Sequence, residues 1–224
     1  MKYHVALLHT SFVFIQRERM IFDLLQELLP EAQLTNIVED TMLKQVVDQG
    51  GITPDVIKRM CLYVLAAEAM GVDAIFSTCS SLGPTIDAAR PLVKIPIIKI
   101  DDAMAEKAAA EGRRIGVMAT VPSTLKPTID LVQQNANQQG KTLQIQPALC
   151  EGAFDLLSKG DALSHDQMVS AKAQEVAKWA DTIVLAQCSM ARLAPRLSEE
   201  TGLPVLSSPR MGVLRLKAVL EGKQ

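Results

Sequence analysis

The sequence predicts an α/β fold: two pseudo-symmetric Rossmann-like lobes, each a mostly parallel sheet flanked by helices, with the active site in the cleft between them. Three observations carry that reading. Short β-branched runs alternate with longer segments whose apolar residues recur three and four apart, the pattern of strands joined by crossover helices. Landmarks of the first half return in the same order in the second half. Punctuation is local, with Gly71 and Gly202 placed as helix C-caps just before a strand and no low-complexity linker anywhere.

In chain order, the first strand is expected at 4–8 (HVALL), followed by an amphipathic helix at 21–29 (IFDLLQELL). A second strand at 32–38 (AQLTNIV) leads through the loop QGGITP (49–54) into a helix at 56–70. Strands at 73–77 (DAIFS) and 96–100 (PIIKI) complete the first sheet. The second sheet is expected from 114–118 (RIGVM), 142–146 (TLQIQ), 181–186 (DTIVLA) and 204–207 (PVLS), with the loop 135–141 and a helix at 168–180 between them. The lobe boundaries are placed at 1–105 and 106–224, with the C-terminal helix free to pack back on the first lobe.

The repeat makes two lobes of what could be one long sheet. VALLHT (5–10) resembles IGVMAT (115–120), IPIIKIDDAM (95–104) resembles LPVLSSPRMG (203–212), and Cys79 and Cys188 stand 109 positions apart between these landmarks. Ligands of open parallel sheets sit beyond the carboxyl ends of the strands. Thr10, Cys79, Thr120 and Cys188 all fall at such ends, and duplication would bring the two cysteines to the cleft from opposite sides.

Composition excludes several classes. The chain has 224 residues, a formal net charge of -2 and 21% charged residues spread along its length, which argues against nucleic acid or an anionic membrane surface as a partner. No run reaches the 18 or more apolar residues of a membrane span, and the apolar N-terminal stretch 1–14 reads as a first strand rather than a signal peptide; a cytoplasmic location is expected. The four cysteines, at 61, 79, 150 and 188, include no C-x-x-C pair, so redox and zinc-finger roles fall away and free thiols are expected. Cys61 lies mid-helix and reads as core, and Cys150 reads as structural.

Each remaining cysteine precedes a helical pattern, where unsatisfied N–H groups and the macrodipole favour a thiolate. Small hydroxyl side chains surround them: Thr10 and Ser11, Ser80 and Ser81, Thr120, Ser123 and Thr124, and Ser189. With backbone N–H groups these form a carboxylate cradle without a cation. Two thiols on opposite faces of a carbon acid invert its stereocentre, one removing the α-proton and the other delivering one. No glycine-rich phosphate loop and no Lys in a Schiff-base setting is present, so no cofactor is expected.

These segments, STCSS, GVMATVPST, LAQCSMA and GLPVLSSP, together resemble the Asp/Glu/hydantoin racemase superfamily, whose relatives include maleate isomerase and arylmalonate decarboxylase. The resemblance runs over nearly the whole chain. It implies two α/β lobes, no cofactor, a homodimer, and Cys79 and Cys188 as the acid/base pair acting on a small carboxylate substrate, an amino acid such as aspartate or glutamate. The chain departs from glutamate racemases at His9, where they carry an acid, at Ser80-Ser81, where they carry Asn-Thr, and at Ser189-Met190, where they carry Thr-His. Their late supporting acid corresponds to Glu151. His9 and Glu151 are therefore candidate supporting residues. On the same fold, a cis-trans isomerase and a decarboxylase are the rival chemistries, and a two-lobed binding module without turnover is the rival of another class.

Overall fold

The computed structural model describes residues 2–12 and 19–222; Val13 and Phe14, the end of the apolar N-terminal stretch, lie outside them. The chain divides into two compact units, Met1–Ile100 with Pro209–Gln224, and Asp101–Ser208. Each is built on a four-stranded, wholly parallel sheet.

In the first unit the strands are β1 (Tyr3–His9), β2 (Ala32–Val38), β3 (Ala74–Ser77) and β4 (Ile97–Lys99), in the spatial order β2-β1-β3-β4. The second unit repeats this with β5 (Arg114–Ala119), β6 (Gln144–Leu149), β7 (Thr182–Leu185) and β8 (Val205–Ser207), in the order β6-β5-β7-β8. The α/β class and the repeated parallel sheet read from the sequence are thus what the structure contains.

Helices cover the sheets because parallel strands need crossovers, and the central strands β1, β3, β5 and β7 are mostly buried on both faces. In the first unit α1 (Met20–Leu28) links β1 to β2, α2 (Met42–Asp48) and α3 (Pro54–Ala69) link β2 to β3, and α4 (Gly83–Ala89) precedes β4. Val56, Met60, Val64 and Ala67 of α3 pack with Met42 and Val46 of α2 onto Ala6, Leu8 and Ile75 of the sheet. In the second unit α5 (Asp102–Glu111) leads into β5, and α6 (Pro122–Gln138) links β5 to β6. Then α7 (Ala153–Ser158) and α8 (Ala162–Ala177) join β6 to β7, and α9 (Ala194–Thr201) precedes β8. Val169 and Ala173 of α8 pack on Met118, Ile183 and Leu185. Gly71 and Gly202 adopt φ of 73° and 69°, the left-handed conformation that a C-terminal helix stop before a strand requires.

The last helix, α10 (Ser208–Leu220), belongs with the first unit from Pro209 onward. Its docking depends on Gly212, because a Cβ there would sit 2.4 Å from the Ile100 carbonyl oxygen. Backbone cannot yield as a flexible side-chain tip can. Gly212→Ala is expected to cost about 1–3 kcal/mol of stability through overpacking, read as a lower urea midpoint; an unchanged midpoint would mean that α10 can back away from β4 freely.

Candidate active site

The order β2-β1-β3-β4 makes the chain leave β1 on one side and return on the other. The carboxyl ends of β1 and β3 therefore flank the topological switch point of the first sheet, and those of β5 and β7 flank that of the second.

In the first unit, β1 and β3 pair through Leu8 and Ser77, and the Thr78 N–H donates to the Leu8 carbonyl at 3.1 Å. One residue on, Cys79 keeps an extended backbone (φ -120°, ψ 110°) and opens a 3₁₀ turn, Ser80–Leu82, before α4 begins at Gly83. The expected helix N-terminus at the cysteine is thus a 3₁₀ turn, since Pro84 in the first turn of α4 sets the α-helix start several residues later. Cys79 is 7% exposed, at the rim of the apolar cluster beside Leu82 and Ile86. Ser80 is half-buried and Ser81 buried, and Ser11 is half-buried beside Thr10. Thr10 is 2% exposed, and its hydroxyl has no hydrogen-bond partner among the described residues.

His9 is fully buried at the end of β1. Its Nδ1 lies 3.0 Å from the Thr78 hydroxyl, its Nε2 lies 3.1 Å from Asn36 Oδ1, and its ring stacks on Phe22 at 5.9 Å. Burial lowers its pKa and outweighs the Asn36 hydrogen bond, which acts the other way. A neutral ring that donates Nε2–H to Asn36 leaves Nδ1 as an acceptor for the Thr78 hydroxyl, whose other acceptor is the Leu8 carbonyl at 3.3 Å. This locks the end of β3, one residue before Cys79, onto β1 and β2. The opening LLHTSF named His9, whereas Thr78, Asn36 and Phe22 as its partners come from three separate elements.

In the second unit, Met118 pairs with Leu185 and the Ala186 N–H donates to the Met118 carbonyl at 2.9 Å. The next residue, Gln187, is extended (φ -136°, ψ 140°), and Cys188, 8% exposed, starts the 3₁₀ turn Cys188–Leu193. Counted by strand register, Cys79 therefore corresponds to Gln187, and Cys188 stands one step further on.

Gln187 was not among the residues singled out by sequence. Its Oε1 accepts the Thr120 N–H at 2.5 Å, the Val121 N–H at 2.9 Å and the Thr120 hydroxyl at 3.2 Å. Thr124 turns inward, donating its hydroxyl to the Val121 carbonyl at 2.9 Å, while Ser123 and Ser189 are half-buried.

Cys150 and Glu151 follow β6 and differ sharply. Cys150 is buried in the second core, and burial pushes its thiol up to about 11, so it is protonated at neutral pH. Glu151 is exposed. Cys61 is half-buried against the first core, and all four cysteines are thiols. Among the described residues no three His, Cys, Asp or Glu side chains converge as a metal site, and no helix is long and apolar enough to cross a membrane.

The turn that carries Cys188 is anchored from behind. Arg192, in that turn, forks onto the Asp166 carboxylate, with Nη1 to Oδ2 at 2.6 Å and Nη2 to Oδ1. The buried His165 adds Nδ1 to Asp166 Oδ1 at 2.8 Å. Burial alone raises the Asp166 carboxyl, but the Arg192 and His165 hydrogen bonds outweigh it and hold the group below the usual carboxylate range.

Repeated parallel sheets with a thiol beyond each switch point define a class of two-lobed α/β enzymes. The sequence pattern of the Asp/Glu/hydantoin racemases matches residues 20–216, and the chain belongs to that family. A hydantoin racemase from Rhizobium meliloti is 28% identical over 162 residues, 72% of this chain and 66%, just under two thirds, of that protein. Among solved structures, the RacE1 isoform of glutamate racemase from Bacillus anthracis superposes with a TM-score of 0.72 at 16% identity, over 100% of this chain and 84% of its own. Allantoin racemase from Klebsiella pneumoniae does so at 0.69 and 19%, over 98% and 89%. At such identities the structural likeness speaks for the fold alone.

The anchor has a defined pH signature. A lowered folded pKa contributes stability above the unfolded carboxyl value near 3.9 and loses it as pH falls through the folded value. Because Arg192 is 41% exposed and solvent screens the pair, Asp166→Asn is expected to cost only about 1 kcal/mol at pH 7. Urea melts at pH 7 and near pH 2.5 should show the wild-type advantage shrinking on acidification; an advantage that is constant with pH would mean that Asp166 acts through packing instead.

Proposed function

We propose that this chain is a cofactor-independent racemase or epimerase of a small carbon acid, with Cys79 and Cys188 as its two proton-transfer groups. The observation that supports it most is the placement of each thiol: one follows the switch point of each sheet, slightly exposed at the head of a 3₁₀ turn.

In the reaction, the thiolate of one cysteine takes the α-proton and the electron pair moves into the adjacent carbonyl as an enolate. The thiol of the other gives its proton to the opposite face of the same carbon. The centre inverts, and thiol and thiolate have exchanged roles. Thr10, Ser11, Ser80, Ser81, Thr120, Ser123, Thr124 and Ser189 supply hydroxyls near the strand ends, of which Thr120 already donates to Gln187 Oε1 and Thr124 to the Val121 carbonyl. His9 acts as a positioning residue for Thr78. Amino acids such as aspartate and glutamate meet the chemical requirement of an α-hydrogen beside a carbonyl, as do cyclic ureides, the class to which hydantoins belong.

Cys79→Ala and Cys188→Ala should each lower inversion by about 10²–10⁴-fold, the usual contribution of a positioned acid or base. Proton NMR of the α-hydrogen in D₂O, on the reduced protein with separate enantiomers, measures this. Inversion that survives either substitution in both directions would rule out the two-base mechanism.

A further inference from the structure

We propose that Gln187 sets the charge class of the substrate: it fills the anion-binding end of β5 with its own carbonyl and offers a neutral amide donor to an uncharged carbonyl of the substrate beside Cys188. This rests on the racemase reading above and narrows its substrate to ureides or amides over free carboxylates.

The first ground is occupancy. The Thr120 and Val121 N–H groups are the first beyond β5 and stand at the start of the long helix α6, with Val121 as its N-cap. Paired N–H groups at such a place hold anionic oxygens. Here both donate to Gln187 Oε1, and the Thr120 hydroxyl joins them. A substrate carboxylate would have to displace a carboxamide that makes three hydrogen bonds.

The second ground is direction. A carboxamide is planar, so an Oε1 committed to the β5 loop turns the Nε2 hydrogens away from it. Gln187 is half-buried, and the residue after it is Cys188. An amide nitrogen only donates, and the group it suits is a carbonyl oxygen that gains charge as the α-proton leaves.

The third ground is charge. In the second unit the segments 120–124 and 187–190 contain no Lys or Arg, and Arg192, further along the cysteine turn, is forked onto Asp166. Moving a carboxylate out of water against neutral donors costs far more than moving a carbonyl. Removing a proton next to an existing carboxylate would also add a second negative charge there, whereas a neutral carbonyl takes up only one.

The test compares a 5-substituted hydantoin with the amino acid bearing the same side chain, following α-proton exchange in D₂O. Wild type is expected to favour the hydantoin. Gln187→Ala, and Gln187→Met, which keeps the volume, should lower kcat/KM for the hydantoin by tenfold or more and shrink its advantage over the amino acid. A ratio unchanged within twofold in both variants, or a wild-type preference for the amino acid, overturns the proposal. If wild type exchanges neither compound, the racemase reading fails by itself, and the role of Gln187 is then read from ligand-observed NMR binding. Hydantoin bound by wild type and lost in Gln187→Met upholds the recognition; equal binding by both, or none by either, ends it.

Discussion

The structure depends on one backbone constraint used twice: the parallel pairing of β1 with β3, and of β5 with β7. Each pair ends in a matching bond, Thr78 N–H to the Leu8 carbonyl and Ala186 N–H to the Met118 carbonyl. These are the last rungs of two ladders whose strands are buried on both faces, so a slip by one residue would exchange the side chains packed against the two helix layers and break the packing of both. Whatever follows the last rung is therefore held to a fixed place. In one sheet Cys79 comes next, and in the other Gln187 and then Cys188.

Around that constraint the two units use different chemistry at matching positions. The first secures the end of its central strand with a neutral, stacked His9 bridging Thr78 and Asn36. The second secures the end of β5 with the Gln187 carboxamide. After β2 stands Glu39, a buried carboxylate accepting the Met42 N–H at 2.8 Å and paired with Arg59, while the matching residue after β6 is the uncharged Cys150. The repeated backbone leaves side chains free to diverge wherever the register does not bury them against a neighbour.

Much of the fold was legible because it is written in local pattern. The strand runs, the helical periodicities and the glycine C-caps are short-range signals, and the repeat multiplied them. The one-residue displacement of the cysteines was not legible. The cysteine spacing of 109 falls between the 110 separating Leu8 from Met118 and the 108 separating Ser77 from Leu185, so it passed for ordinary drift. Gln187 was missed for the same reason: only strand register reveals that it occupies the step of Cys79. Arg192 and Asp166 are 26 positions apart, and no periodicity links a turn to a residue of a different helix. Pro84 could have warned that the α-helix starts after the cysteine turn, because proline favours the first helical turn.

The 3₁₀ turns then take on a definite role. A cysteine at the first turn of an α-helix would see its sulfur held by that helix's N–H groups in one geometry. In a 3₁₀ turn the backbone is tighter and its N–H groups are spaced differently, so the thiol's position is set by what braces the turn from outside. In the first unit that brace reaches the strand just before the turn, through His9 and Thr78. In the second it is the turn itself, tied by Arg192 to Asp166 on α8 and packed by Met190 and Leu193 into the core. The hydrogen bonds of these braces, His9 to Thr78 and Arg192 to Asp166, are made by neighbouring side chains, and Cys79 and Cys188 are 7% and 8% exposed. A cysteine proposed to take up and release a proton has to be held in place by its surroundings, and in both units the His9 and Arg192 braces act on the chain beside it.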